Sequence, residues 1–96
     1  MALFVAEHQH SADHCPAAQP AAAMFLQKHL TQPEAAKFEV RIRAEAVARG
    51  EHHLYLIVDA PNAAAVERYL APFAQAGSVE VRPASTCEEV VARGAC

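Results

Sequence analysis

Hydrophobic positions along this chain follow two periods, and the places where one gives way to the other mark its elements. Ala2 to His8 is almost uniformly apolar until Glu7, the pattern of a central strand covered on both faces. A polar stretch from Gln9 to Ala18 follows. Between Pro20 and Thr31 the large apolar residues fall at helical spacing, with Ala23, Leu26 and Leu30 on one face and Pro20 suited to a first turn. Phe38 to Val47 alternates: Phe38, Val40, Ile42 and Ala44 point one way, and Glu39, Arg41, Arg43 and Glu45 the other, as in a half-solvated strand near a sheet edge. Arg49-Gly50-Glu51 supplies a turn, and His52 to Asp59 is a third strand, apolar on both faces.

The helical period returns from Pro61 to Ala76, where Val66, Tyr69, Leu70 and Phe73 form one stripe, Asn62 stands at the capping position, and Pro72 is expected to kink or shorten the helix. Gly77 reads as the residue that ends it. Ser78 to Arg82 is a fourth strand with Val79 and Val81 inward. A tail helix from Thr86 to Arg93 opens with two overlapping capping boxes, Ser85/Glu88 and Thr86/Glu89, and stops at Gly94. The order β-α-β-β-α-β plus a tail predicts an α+β, ferredoxin-like domain spanning residues 1–96. Residues 2–82 form its core, a four-stranded antiparallel sheet with the helices on one face, and residues 83–96 form the tail helix. The opposite sheet face keeps an apolar centre (Phe4 or Leu3, Tyr55 or Leu54) inside a charged rim, which points to a face-to-face homodimer in preference to a face covered by the tail helix.

Composition narrows the function classes. The 96-residue chain is 53% hydrophobic, much of it alanine, and carries a formal net charge of −3, so it folds as one modest globule. Without a basic run it is a poor nucleic-acid ligand. Its longest strongly apolar run, Leu54 to Val58, is far too short to span a bilayer. The N-terminus has no secretory pattern, so the expected location is the cytoplasm. Three cysteines cannot all pair within one chain and read there as thiols or ligands.

The candidate chemistry lies after the first strand, where His8, His10, His14 and Cys15 form H-x-H-x-x-x-H-C. In the expected sheet this strand ends beside the start of the third, which opens with His52 and His53, of which alternation lets only one face the cluster. A tail helix folding back over about 15 Å would return Cys96 to the same rim. The candidate metal ligands are therefore His8, His10, His14 and Cys15, completed by His53 or Cys96. Mixed imidazole and thiolate donors suit nickel, zinc or copper and not magnesium or calcium. His-x-His puts both rings on one side of an extended segment, and Pro16 restricts the backbone of Cys15. The spacing matches no structural zinc finger. Histidines in a polar loop are commonly just solvated, as expected for His29, and Cys87 reads as a small half-buried residue.

Catalysis has the weaker case. Cys15 with His53 would be the nucleophile and base, and Glu7 and Asp59 stand at strand ends. No glycine-rich phosphate loop exists. A binding site for an apolar small molecule would fall between helices and sheet, near Phe4, Tyr55 and Phe73. A dimerisation module without a site of its own is the remaining alternative.

The order of elements over residues 2–82 resembles the dimeric α+β-barrel superfamily, whose members include small monooxygenases and muconolactone-isomerase-like enzymes. Two segments, Val5-Ala6-Glu7-His8 and His14-Cys15-Pro16, are similar to short bacterial ferredoxin-like proteins that bind nickel through histidine and cysteine. The closing Ser85–Cys96 segment looks like an ending shared by short bacterial proteins. The first resemblance implies a dimeric barrel and the second a nickel site; neither assigns ligands one by one.

Overall fold

The computed structural model describes all 96 residues. Strands β1 (Ala2–His10), β2 (Arg41–Val47), β3 (His53–Ala60) and β4 (Gly77–Ala84) form one sheet in the order β2-β3-β1-β4. Every pairing in it is antiparallel. Helices α1 (Pro20–His29), α2 (Gln32–Ala36), α3 (Ala63–Tyr69) and α4 (Ala71–Ala74) link the strands, and α5 (Cys87–Arg93) follows β4. This is the expected ferredoxin-like α+β architecture.

Alternation in β3 decides which sheet face is covered. Leu54, Leu56, Val58 and Ala60 are buried, whereas Tyr55 and Ile57 stay exposed. The covered face meets Val66, Tyr69, Leu70 and Phe73 of the third and fourth helices, the stripe read from the sequence. Pro72 acts as expected: the helix breaks at Leu70, and α4 restarts with the proline in its first turn. Asn62 accepts a hydrogen bond from the Ala65 N–H at 2.9 Å and caps α3.

The second strand departs from the alternation. Phe38 and Glu39 lie in a turn and not in the strand, because α2 ends in a Schellman turn: the Val40 N–H bonds the Ala35 carbonyl and the Glu39 N–H that of Ala36. Glu39, at φ 63°, takes the left-handed position that a glycine usually fills. A register shift between Ile42 and Ala44 then bulges the strand at Arg43, which reaches Asp59 at 3.2 Å. Beyond the bulge the faces are exchanged: Ala44 and Ala46 pair with Ile57 and Tyr55 on the open side, and Glu45 and Val47 turn toward the helices. The strand's outer edge is closed by Gln32, whose amide both donates to the Ile42 carbonyl and accepts from its N–H.

Gly77 is the first residue of β4 and not a helix terminator; a Cβ there would run into the Gln9 carbonyl. The tail helix is capped by the Thr86 hydroxyl, which accepts from the Glu89 N–H, and closed by Gly94 at φ 72°. Of the two capping boxes, Ser85 instead accepts from Arg93. No residue of α5 is buried, so the tail does not cover the open sheet face, and Cys87 is exposed, not half-buried. No helix is long and apolar enough to cross a membrane.

Candidate functional site

The first strand runs two residues further than its apolar pattern indicates, and that extension builds the site. His8 and His10 both lie on the helix-facing side of β1, His8 opposite Leu54 and Val79, His10 opposite Gly77. The close approach that only glycine allows at Gly77 packs β4 directly against the Gln9–His10 backbone. His10 is also pinned to the neighbouring hairpin: its N–H bonds the His52 carbonyl at 3.1 Å. The polar stretch after the strand is not a free loop. Two successive 3-10 turns, Ala12–His14 and Pro16–Ala18, meet at Cys15. Its ψ of 115° is the extended conformation that a following proline imposes. The chain thereby folds back over the end of the sheet.

The result is a cluster. His10, Cys15 and His52 each bring one ligand atom within 4.8 Å of the others, all three half-buried. Behind them stands His8, 2% exposed, with its ring centroid 5.1 Å from that of His10 and 5.2 Å from that of Phe73. The hydrogen bonds fix the protons along this row. His8 Nδ1 lies 2.9 Å from the Ser78 carbonyl oxygen, which only accepts, so His8 Nδ1 carries the hydrogen. In the neutral ring Nε2 is then an acceptor, and it lies 3.1 Å from His10 Nδ1, which must donate. The remaining His10 nitrogen, Nε2, keeps a free lone pair. It is buried and has no hydrogen-bond partner. Burial lowers the pKa of His8, against the Ser78 carbonyl, and the His53 charge adds to that lowering. Burial also lowers His10, reinforced by the neighbouring imidazoles of His8, His52 and His14. Both rings therefore favour the neutral form that a metal ligand requires.

The other candidate ligands lie elsewhere. His14 is exposed and bonds the Ser11 hydroxyl through Nδ1 at 2.8 Å. His53 pairs with Gln9, so its side chain emerges on the open face, stacked on Tyr55 with centroids 4.4 Å apart and 3.8 Å from the Glu7 carboxylate. The reason is phase: the strand begins at His53, and its predecessor in the turn, His52, is the histidine on the helix side. Cys96 is exposed and outside the cluster. The tail leaves β4 at Ala84, opposite Leu3, at the far end of a strand that carries His10 roughly 23 Å away, and the seven residues of α5 rise only about 10 Å. His29, expected at the surface, is buried: its Nε2–H donates to the Tyr69 carbonyl at 2.7 Å, and the Tyr69 hydroxyl donates back to the His29 carbonyl.

Two hollows adjoin the cluster. One, of about 120 Å³, is lined by His10, Cys15 and His52 together with Leu26, Leu54 and Phe73. Glu45 and Glu51 also line it, and neither is signalled by the sequence pattern, since the bulge at Arg43 is what turns Glu45 inward. The other, of about 280 Å³, runs along Phe25, Leu26 and Phe73 past His8 and His14. This cleft, not the expected Phe4–Tyr55–Phe73 region, is the space between helices and sheet: Tyr55 is on the opposite face, and Phe4 lines neither hollow.

The model of a family described as a domain of unknown function (DUF3303) matches residues 1–95, and the chain belongs to that family. Among solved structures, a crystal structure of an antibiotic biosynthesis monooxygenase is similar at a TM-score of 0.50 and 14% identity, covering 90% of this chain and 98% of that one. That likeness is one of fold. No curated protein matches the chain, and neither match carries the resemblance to nickel-binding proteins.

Proposed function

We propose, with membership of that family as the premise, that this protein binds one transition-metal ion of the nickel, zinc or copper type through His10, Cys15 and His52. The observation that carries this reading is the unpartnered, buried His10 Nε2, whose lone pair is set by the row Ser78–His8–His10. A ligating imidazole ordinarily gives its other N–H to an acceptor that orients the ring; here the acceptor is His8 Nε2. A thiolate and two imidazoles suit the borderline and soft divalent ions. The test is elemental analysis of untagged protein after dialysis against each metal in turn. One equivalent is expected in the wild type and in His14→Ala, His53→Ala and Cys96→Ala, with loss in His10→Ala, Cys15→Ala and His52→Ala. Full stoichiometric metal in Cys15→Ala would overturn the reading.

A second reading, a small barrel-type enzyme acting on an apolar molecule, is favoured by a specific observation: the cleft along Phe25, Leu26 and Phe73 is apolar with a few polar groups, the composition of small-molecule sites. The shared architecture also speaks for it more than for a metal carrier, since the similar structure is titled a monooxygenase. It predicts saturable binding of small aromatic compounds by metal-free protein, abolished in Phe25→Asp. In either reading we propose a second copy of the chain as partner, seated on the open sheet face where Leu3 and Val5 adjoin the exposed Tyr55 and Ile57. Sedimentation should show a dimer that Ile57→Lys converts to monomer.

A further inference from the structure

Three donors leave a tetrahedral ion one position short. No fourth histidine, cysteine or carboxylate shares the spacing of His10, Cys15 and His52. His8 stands near but has no nitrogen to spare, since Nδ1 gives its hydrogen to Ser78 and Nε2 accepts from His10. The hollow that the three donors line is walled on its other sides chiefly by hydrocarbon, from Leu26, Leu30, Leu54 and Phe73. The larger cleft shares Leu26 and Phe73 with it. A divalent ion held by one thiolate and two neutral imidazoles keeps a net charge of +1; Glu45 and Glu51 line the same hollow, but neither shares the spacing of the three donors, so the fourth coordination position itself holds no anion from the chain. An anionic donor removes that charge, and hydrocarbon walls favour an anion that brings an apolar body with it.

We infer that the fourth position takes a small organic anion: its donor atom completes the metal, and its apolar body lies against Leu26, Leu30 and Phe73. The proposal rests on the metal reading and adds to it the class of ligand. It also gives the adjoining cleft a role, as the route or space for a larger apolar body.

The experiment uses untagged protein loaded with one equivalent of cobalt(II), with acetate and benzoate as probes followed through the visible d–d bands. The two share a carboxylate donor and differ in the apolar body, so their ratio isolates the hydrocarbon wall. Both should shift the bands, benzoate with at least tenfold higher affinity, and Leu30→Ala should narrow the ratio while the unliganded cobalt spectrum stays as in the wild type. Equal affinities for the two anions, with cobalt bound through Cys15, would overturn this inference and leave the metal site standing. A cobalt spectrum that changes in Glu45→Gln or Glu51→Gln before any probe is added would overturn it too, since the chain would then fill its own fourth position. Failure to bind cobalt at all would overturn the metal reading and this inference together.

Discussion

Two histidines in this protein, one buried and one half-buried, do opposite things. His29 is 5% exposed, and its ring stacks on Tyr69 with centroids 4.5 Å apart and on Phe25 at 4.9 Å. Its polar contacts are reciprocal with Tyr69: each residue donates from its side chain to the other's carbonyl. That pair clasps α1 to α3. His10 is less buried, yet its Nε2 is a buried nitrogen left over, as is His53 Nε2, which lies away from any thiol on the open face. Burial alone therefore does not mark a site. An imidazole held by its partner is part of the core, whereas an imidazole whose neighbours fill one nitrogen and leave the other unpartnered, in a ring grouped with a thiol and a second imidazole, is prepared for a ligand.

The largest separation between the two regions should come from metal affinity. Cys15→Ala or His10→Ala should weaken zinc binding by more than a hundredfold in competition titrations, while His29→Leu leaves it unchanged. A metal affinity that falls in His29→Leu as far as in His10→Ala would erase the contrast. The reverse holds for folding. His29→Leu strands the Tyr69 carbonyl in the core and should cost about 2–3 kcal/mol in urea unfolding, whereas His10→Ala without metal should cost less than half of that.

His8 lies between the two cases, buried like His29 but serving His10. Its replacement by Gln should lower metal affinity by roughly 10- to 100-fold, the range for a residue that orients a ligand, without removing a stoichiometric site. Metal should also leave as pH falls toward 5, since both imidazoles and the thiol must be deprotonated to bind. The smallest effect is alkaline. Burial, with the Glu34 charge, pushes the Tyr69 phenol from 10.0 up to about 12. Its folded pKa exceeds the unfolded one, so its stabilisation is complete below pH 10 and is lost as pH rises from 10 to about 12. An absorbance titration of Tyr55→Phe should place the phenol there, and Tyr69→Phe should lack this extra loss of stability above pH 10.

Much of the fold was legible because its elements obey their periods. The stripe Val66–Tyr69–Leu70–Phe73 packs as read, Pro72 breaks its helix, and Asn62 and Thr86 cap theirs. What stayed hidden is backbone that departs from its usual residues. The left-handed turn at Glu39 has no glycine to announce it, and the bulge at Arg43 exchanges faces within a stretch that alternates in sequence. The site was half legible for the same reason. His8, His10 and Cys15 meet because strand and proline place them. Choosing His53 over His52 turned on a one-residue phase that composition does not reveal, and Cys96 depended on a tail helix too short to return.

X-ray absorption at the metal edge of zinc-loaded, untagged protein tests the central claim most directly. One sulfur near 2.3 Å and two imidazole nitrogens near 2.0–2.1 Å are predicted, at the usual zinc–ligand distances, with the sulfur shell gone in Cys15→Ala. A shell of nitrogen and oxygen alone in the wild type, or a sulfur that persists in Cys15→Ala, would contradict it.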